Sequence, residues 1–469
     1  MSVLLRNFIY ECLYSPKRGY FHPVKEADLP LRRTSPGGQD AEQKFASAAH
    51  WEAHVRDLYQ SAPRTWLTPS ELFSPYYGRA IGRFLSLLHQ HDTIVEVGAG
   101  NGTAALDALN YLREVAPERY ARTVYHTVEI SAPFVMRQRE QLFEHVEAGR
   151  CFVHHCSALE VPMDISVPNG MEANVCPGVN DGSASDRNGD HGKVAVVALE
   201  VLDNLAHDAV AQHRRTGDWY QVLIDAEGRF SYELLQDEYI LDACRVWGLG
   251  PYHEAEESPG ATESTHEEAA TFASGVHPLA RSVTFLRDLF HRLNEAVLPS
   301  SAGSASTSDA GMPSPDDISW PIYVPTDATC LLRNLSRSFP HGHSLFVADF
   351  STFSDSLPTA SGTSIAPVIQ TFGQGSTVNW PSVRPGEHDI MFSTSFPRLR
   401  RAHRRACGSV VAQELLSQQA WWRKYATINP AGYNPILESF ANVSIYFGKA
   451  LFHPRLADQG KADADGNGR

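Results

Sequence analysis

A chain of 469 residues, 42% of them hydrophobic and 10% aromatic, can bury a large core, which excludes a small stapled scaffold and a wholly disordered chain. Its 40 Lys and Arg against 54 Asp and Glu leave a formal charge of −14, so the overall field repels phosphate backbones and anionic lipid, and nucleic acid is not an expected partner. The seven cysteines contain no Cys-x-x-Cys pair and no apolar run reaches the roughly 18 residues of a membrane span, so no disulfide framework, metal site or membrane insertion is expected.

Apolar residues at near-helical spacing over 2–13 predict a short amphipathic helix, stopped by Ser15-Pro16-Lys17-Arg18-Gly19. A second helix, roughly 76–89, leads into the β-branched run 92–97, a buried strand ending at glycines. A helix at 103–114, a strand at 124–128, a helix at 134–147 and strands at 151–155 and 193–199 follow. Strands alternating with helices at this pitch imply an α/β fold with a doubly wound, mostly parallel sheet. Further strands are expected at 220–224, 230–235, 344–350 and 443–447.

Polar stretches at 166–192, 253–270 and 299–316 read as surface insertions, and the tail from 457 as disordered. The expected organisation is a helical cap over 1–64, a core over 65–250, insertions over 251–318 and a C-terminal part over 319–456 that completes the sheet. The basic run Arg398 to Arg405 is expected to be a solvated helix face, and Trp421, Trp422 and Tyr425 to pack in the interior.

The sharpest motif is Glu96-Val97-Gly98-Ala99-Gly100-Asn101-Gly102-Thr103, between a predicted strand and a predicted helix. A glycine turn there lets a ligand approach backbone amides at a helix N-terminus. The dinucleotide fingerprint needs its third glycine at position 103, which is Thr103, so a nicotinamide cofactor is disfavoured. The Gly-x-Gly-x-Gly form preceded by an acid resembles motif I of the class I S-adenosyl-L-methionine (SAM)-dependent methyltransferases. SAM carries a sulfonium and an ammonium, so Glu96 can offset positive charge. Glu129, with Ile130 at the end of the next strand, is placed to accept the ribose hydroxyls, and Ser157 and Ala158 to line the adenine.

After the fourth strand, Leu199-Glu200-Val201-Leu202-Asp203-Asn204-Leu205 carries two carboxylates three residues apart. Such a pair can grip a planar guanidinium beside a methyl donor, although Asp203 could instead cap a following helix.

Taken in order, these motifs resemble the MidA-like methyltransferase family, which includes a mitochondrial complex I assembly factor that methylates arginine. Ser15 to Phe21 is similar to the family's Asn-Pro-x-x-Gly-Tyr-Tyr opening, and Leu67-Thr68-Pro69-Ser70-Glu71 to its Thr-Ser-Pro-Glu segment. Glu96 to Thr103, Val128-Glu129-Ile130-Ser131, Leu199 to Leu205 and Val347-Ala348-Asp349-Phe350 resemble its later motifs. The resemblance implies SAM as cofactor, Glu200 and Asp203 as catalytic residues, and Thr68 and Glu71 on the substrate side. It also implies a protein partner that is a complex I subunit, and a mitochondrial location. Ala99 and Ala206 stand where the family has prolines, which leaves open a non-catalytic assembly protein on the same fold.

Overall fold

The run Val194–Leu199, apolar at every position, suits only a strand covered on both faces. The computed structural model describes residues 2–22, 46–61, 68–160, 163, 194–253, 317–353, 366–371, 378–408, 410–426, 433–438 and 442–450. The expected insertions at 166–192 and 299–316, all but His253 of the 253–270 segment, and the tail from 457 lie outside the described residues.

The chain opens with β1 (Val3–Leu4), α1 (Leu5–Tyr14), α2 (Ala48–Ser61), α3 (Pro69–Leu72) and α4 (Tyr76–Ser86). The expected alternation follows: β2 (Thr93–Val97), α5 (Thr103–Val115), α6 (Pro117–Arg122), β3 (Val124–Glu129), α7 (Ala132–Gln141), α8 (Phe143–Glu147), β4 (Cys151–His155) and β5 (Val194–Leu199). Next come β6 (Asp208–Gln212), β7 (Trp219–Ile224), β8 (Phe230–Leu234), α9 (Glu238–Trp247), β9 (Ile322–Val324), α10 (Thr326–Ser338) and β10 (His343–Phe350). The last elements are β11 (Val368–Thr371), β12 (His388–Met391), α11 (Phe396–Cys407), β13 (Val410–Ser417), α12 (Gln418–Tyr425), α13 (Pro435–Glu438) and β14 (Val443–Ala450).

Seven strands form the central sheet in the order β13-β14-β10-β5-β2-β3-β4. The five from β10 to β4 are parallel, β14 runs antiparallel to β10, and β13 antiparallel to β14. Alternate residues of the strands feed two cores. Ile94, Ala195, Val197 and Phe346 face α4, α5 and α12, whereas Val95, Val196, Ala198 and Val347 face α9, α10 and α11. The expected burial of Trp421, Trp422 and Tyr425 is met in the first core.

Two expectations are corrected. The strands at 220–224 and 230–235 join not the parallel sheet but a second, antiparallel one, ordered β1-β7-β6-β9 with β8 on β7. Short connections dictate this: the turns at Gly217 (φ +80°) and Gly228 (φ +74°) reverse the chain at once, so β6, β7 and β8 pair as hairpins. The basic helix α11 is a solvated face only in part: Arg400 and Arg404 are exposed, but Arg398 and Arg401 are buried. The Arg398 guanidinium donates to the carbonyls of Trp247 and Gly248, capping the C-terminus of α9.

α4 lies close against α5 because glycines face it. A Cβ at Gly82 would sit 2.8 Å from the Ala108 carbonyl oxygen and 3.0 Å from Tyr111 Cβ. Gly82→Ala is therefore expected to destabilise the protein by about 1–3 kcal/mol through overpacking, read as a lower denaturant midpoint; an unchanged midpoint would show that the helices separate without cost.

The chain winds from β2 outward to β4 on one side, then from β5 to β10 on the other. The crevice between β2 and β5 at their C-terminal ends is thus the topological switch point, where open α/β sheets place their ligands. Among the described residues no helix is long and apolar enough to cross a membrane.

Candidate functional site

A cavity of about 670 Å³ opens at this switch point. On the β2 side the turn is made by three glycines with positive φ, Gly98 (+65°), Gly100 (+53°) and Gly102 (+81°), a region that side chains disfavour. Gly98 N–H donates to the Val128 carbonyl at 2.8 Å, so the loop leaves the strand without losing its ladder bond. The Glu129 carboxylate holds the loop in place, with Oε2 accepting from Gly100 N–H at 3.0 Å and Oε1 from Ser131 N–H at 2.9 Å. With three backbone donors on its roughly four lone-pair sites, the carboxylate still has capacity for a ligand hydroxyl. Glu96 lies beneath the loop, where the Tyr125 hydroxyl donates to its Oε2 at 2.8 Å.

On the β5 side the strand ends at Glu200, the one non-glycine among the described residues with positive φ (+53°). Its N–H is held by the Ala348 carbonyl at 2.8 Å. Such a conformation costs about 1–2 kcal/mol and is maintained only where its surroundings enforce it. Asp349, at the end of β10, enforces the loop: its Oδ1 accepts from Phe350 N–H at 2.7 Å, and its Oδ2 from Leu202 N–H at 2.8 Å and Asp203 N–H at 3.3 Å. Asn204 donates to Asp389 Oδ1 at 2.8 Å, and the Tyr14 hydroxyl of α1 donates to the Asn204 carbonyl at 3.0 Å. Asp203 is 2% exposed, and its Oδ1 meets no hydrogen-bond donor among the described residues.

Among the described residues the lining contains seven carboxylates, Glu71, Glu96, Glu129, Glu200, Asp203, Asp327 and Asp389, and no Lys, Arg or His. Burial raises Glu96, Glu129, Asp327 and Asp389 to about 7. Burial, then the neighbouring Asp349, drives Glu200 and Asp203 well above the usual carboxylate range. A pyrophosphate would be repelled by these carboxylates as they ionise, whereas a ligand with a sulfonium and an ammonium, or a guanidinium, supplies the missing positive charge.

Of the residues singled out from sequence, Glu96, Gly98, Ala99, Gly100, Thr103, Glu129, Ile130, Ser157, Ala158, Glu200 and Asp203 all line this one cavity. Gly102 does not: it caps α5, and a Cβ there would press on Gln138 Cγ at 3.0 Å. Thr68 and Glu71 also line the cavity, but beside the glycine loop. Thr68 caps α3, and Glu71 Oε1 accepts from Asn101 Nδ2 at 2.7 Å and Thr103 Oγ1 at 3.1 Å.

Sequence reasoning did not select Tyr14, Asn204, Asp327, Asp349 or Asp389. Asn204 and Asp349 stood within quoted motifs; the others carried no local signal.

A family model described as "putative S-adenosyl-L-methionine-dependent methyltransferase" matches residues 78–415. Among solved structures, a "likely methyl transferase" from Burkholderia thailandensis bound to S-adenosyl-homocysteine is similar at 16% identity with a TM-score of 0.50, covering 96% of this chain and 88% of that one. An uncharacterized protein of the same superfamily and organism is similar at 14% identity with a TM-score of 0.47, covering 96% and 87%. Comparison with curated proteins finds no match.

Proposed function

The chain belongs to the family of SAM-dependent methyltransferases whose model spans residues 78–415, and from that premise we propose that it methylates a cationic nitrogen of a protein side chain, namely the guanidinium of an arginine. The fold is that of the class I methyltransferases and the cofactor is SAM, which when bound supplies an electrophilic methyl group on sulfur. The observation that carries the acceptor assignment is the cavity wall of seven carboxylates with no Lys, Arg or His among the described residues, and with Asp203 Oδ1 meeting no donor among them.

In this reading Glu129 and the backbone of Gly98 to Gly100 would hold the donor, and Ser157 and Ala158 would line its adenine. Glu200 and Asp203 grip the guanidinium through charge-assisted hydrogen bonds and fix its attacking nitrogen, so most of the acceleration comes from orientation and from excluding water. Methylation of a guanidinium releases one proton, and a carboxylate whose proton affinity burial has raised, such as Asp203, is a local acceptor for it. The family resemblance extends the proposal to a complex I subunit in the mitochondrial matrix.

The test is transfer of labelled methyl from SAM to arginine-containing acceptor proteins, followed by amino-acid analysis. Methylarginine supports the reading, methyllysine would move the acceptor to an amine, and cofactor binding without any methylated product would favour the non-catalytic assembly protein.

A pH dependence follows from Glu129, Asp327 and Asp389, each raised to about 7. Unfolded carboxyls titrate near 4, so between about pH 4 and 7 the folded protein binds more protons than the unfolded chain and loses stability as the pH rises. Buried His126, His145, His207 and His343, held neutral down to about 3–4, oppose this up to about pH 6.5, so the ligand-free protein should show a falling Tm from about pH 6.5 to 8, while methyl transfer rises with pH as Glu200 and Asp203, held well above the usual carboxylate range, ionise to meet the cation. A Tm that climbed steadily over that range would contradict the raised values.

A further inference from the structure

Away from the cavity, one cluster among the described residues brings metal-ligating atoms together: His343 at the start of β10, with His403 and Cys407 on α11. Positions 403 and 407 are one helical turn apart and share a face, which packs where β10 begins. All three residues are buried, at 1%, 0% and 3% exposure. His343 Nε2 lies 3.1 Å from His403 Nε2 and 4.0 Å from Cys407 Sγ, and all three donor atoms lie within 4.8 Å of one another. With metal–nitrogen bonds of about 2.05 Å and a metal–sulfur bond of about 2.3 Å, a tetrahedral ion separates two nitrogens by about 3.3 Å and nitrogen from sulfur by about 3.6 Å. Shifts of about 0.2 Å between the two nitrogens and about 0.4 Å between His343 Nε2 and the sulfur would close those gaps, and His403 Nε2 and Cys407 Sγ, within 4.8 Å of each other, would need to draw together by at most about 1.2 Å.

The ring of His403 is held from behind. Its Nδ1 lies 2.9 Å from the Tyr446 hydroxyl, to which Gln413 Nε2 donates at 3.1 Å, so Nε2 is the nitrogen turned toward His343. Gly448 on β14 makes room for this pair, since a Cβ there would overlap the Tyr446 hydroxyl and come within 2.9 Å of His403 Nδ1. An outer partner that orients the ring is the arrangement found behind metal-bound histidines. Two nitrogens and a sulfur suit zinc or copper(I) and not the oxygen-seeking magnesium or calcium.

We propose that His343, His403 and Cys407 form a structural binding site for a thiophilic d¹⁰ ion, Zn²⁺ or Cu⁺, which pins α11 to the N-terminal end of β10. That end is the one opposite the glycine loop, so the site is separate from the methyl-transfer cavity and does not depend on the acceptor assignment. Three protein ligands leave at most one position for an exogenous donor.

The test uses untagged full-length protein purified without chelator, its metal content measured by elemental mass spectrometry. About one zinc or copper per chain is expected, falling at least about tenfold in Cys407→Ser and in His403→Gln, with a Tm that drops on chelation and recovers when the ion returns. Cobalt(II) substitution should give a sulfur-to-metal charge-transfer band that Cys407→Ser lacks. A variant that unfolds would lose metal for another reason, so the wild type decides. Folded wild type holding less than about a tenth of an equivalent, both as purified and after incubation with Zn²⁺ or Cu⁺, overturns the proposal. Full metal content retained by a folded His403→Gln, Cys407→Ser double variant overturns it equally.

Discussion

Asp203→Asn is expected to lower kcat for methyl transfer by about 10²–10³-fold while changing S-adenosylhomocysteine affinity by less than about threefold. The amide keeps the shape of the side chain but loses the charge that meets the acceptor and the oxygen that takes up a proton. A second readout separates this from damage to the fold. Asp203 is buried beside Asp349, Glu200 and Asp389, all of which disfavour its ionised form, so the neutral variant should unfold at an equal or higher temperature than wild type. Lower activity with higher stability is the pattern of a site that sacrifices stability for chemistry. Glu200→Gln should behave similarly. Full turnover by either variant on the true acceptor would remove these two residues from the acceptor site.

The second large effect is on the donor. Glu129→Ala should weaken S-adenosylhomocysteine binding at least about 100-fold, equivalent to losing two charge-assisted hydrogen bonds of about 1.5–3 kcal/mol each. The variant also releases Gly100 and Ser131, whose N–H groups both donate to that carboxylate. Glu129→Gln keeps one acceptor oxygen but turns an amide N–H toward a backbone donor, so an intermediate loss is expected. Calorimetry on the three proteins gives the order directly, and wild-type affinity in Glu129→Ala would place the ribose elsewhere. Folded wild type that bound neither SAM nor S-adenosylhomocysteine would favour the non-catalytic scaffold.

The parts of this molecule that were legible in advance are those whose cause is local. The turn from β2 to α5 needs three glycines in succession, and β5 needs six apolar residues in a row; both requirements are met within one short stretch of sequence. The partners of a strand are not local. Nothing within Trp219–Ile224 tells whether it adds to the parallel sheet or pairs with Val3 and Leu4. The same holds for Asp389, which reaches the cavity from a strand whose partner is β11, and for Arg398, whose carbonyl acceptors come from the C-terminus of α9. It holds most of all for His343 and His403, which are 60 residues apart and match no ligand spacing that a sequence motif could reveal.

The docking of the N-terminal segment bears on the order of assembly. β1 pairs with β7 through Val3 with Ile224 and Leu4 with Leu223, and Arg6 reaches Asp208 at 2.7 Å and Asp237 at 2.8 Å. These residues leave the ribosome well before their partners, which emerge some two hundred residues later. The glycine loop and the strands β2 to β4 can condense while synthesis continues, but Tyr10 and Tyr14 take their places in the cavity wall only after β6 and β7 exist. Closing so long a loop is entropically costly and slow. The strands that carry the glycine loop are thus the early-forming part of the pocket, and its wall is completed last, when α1 docks to seal it.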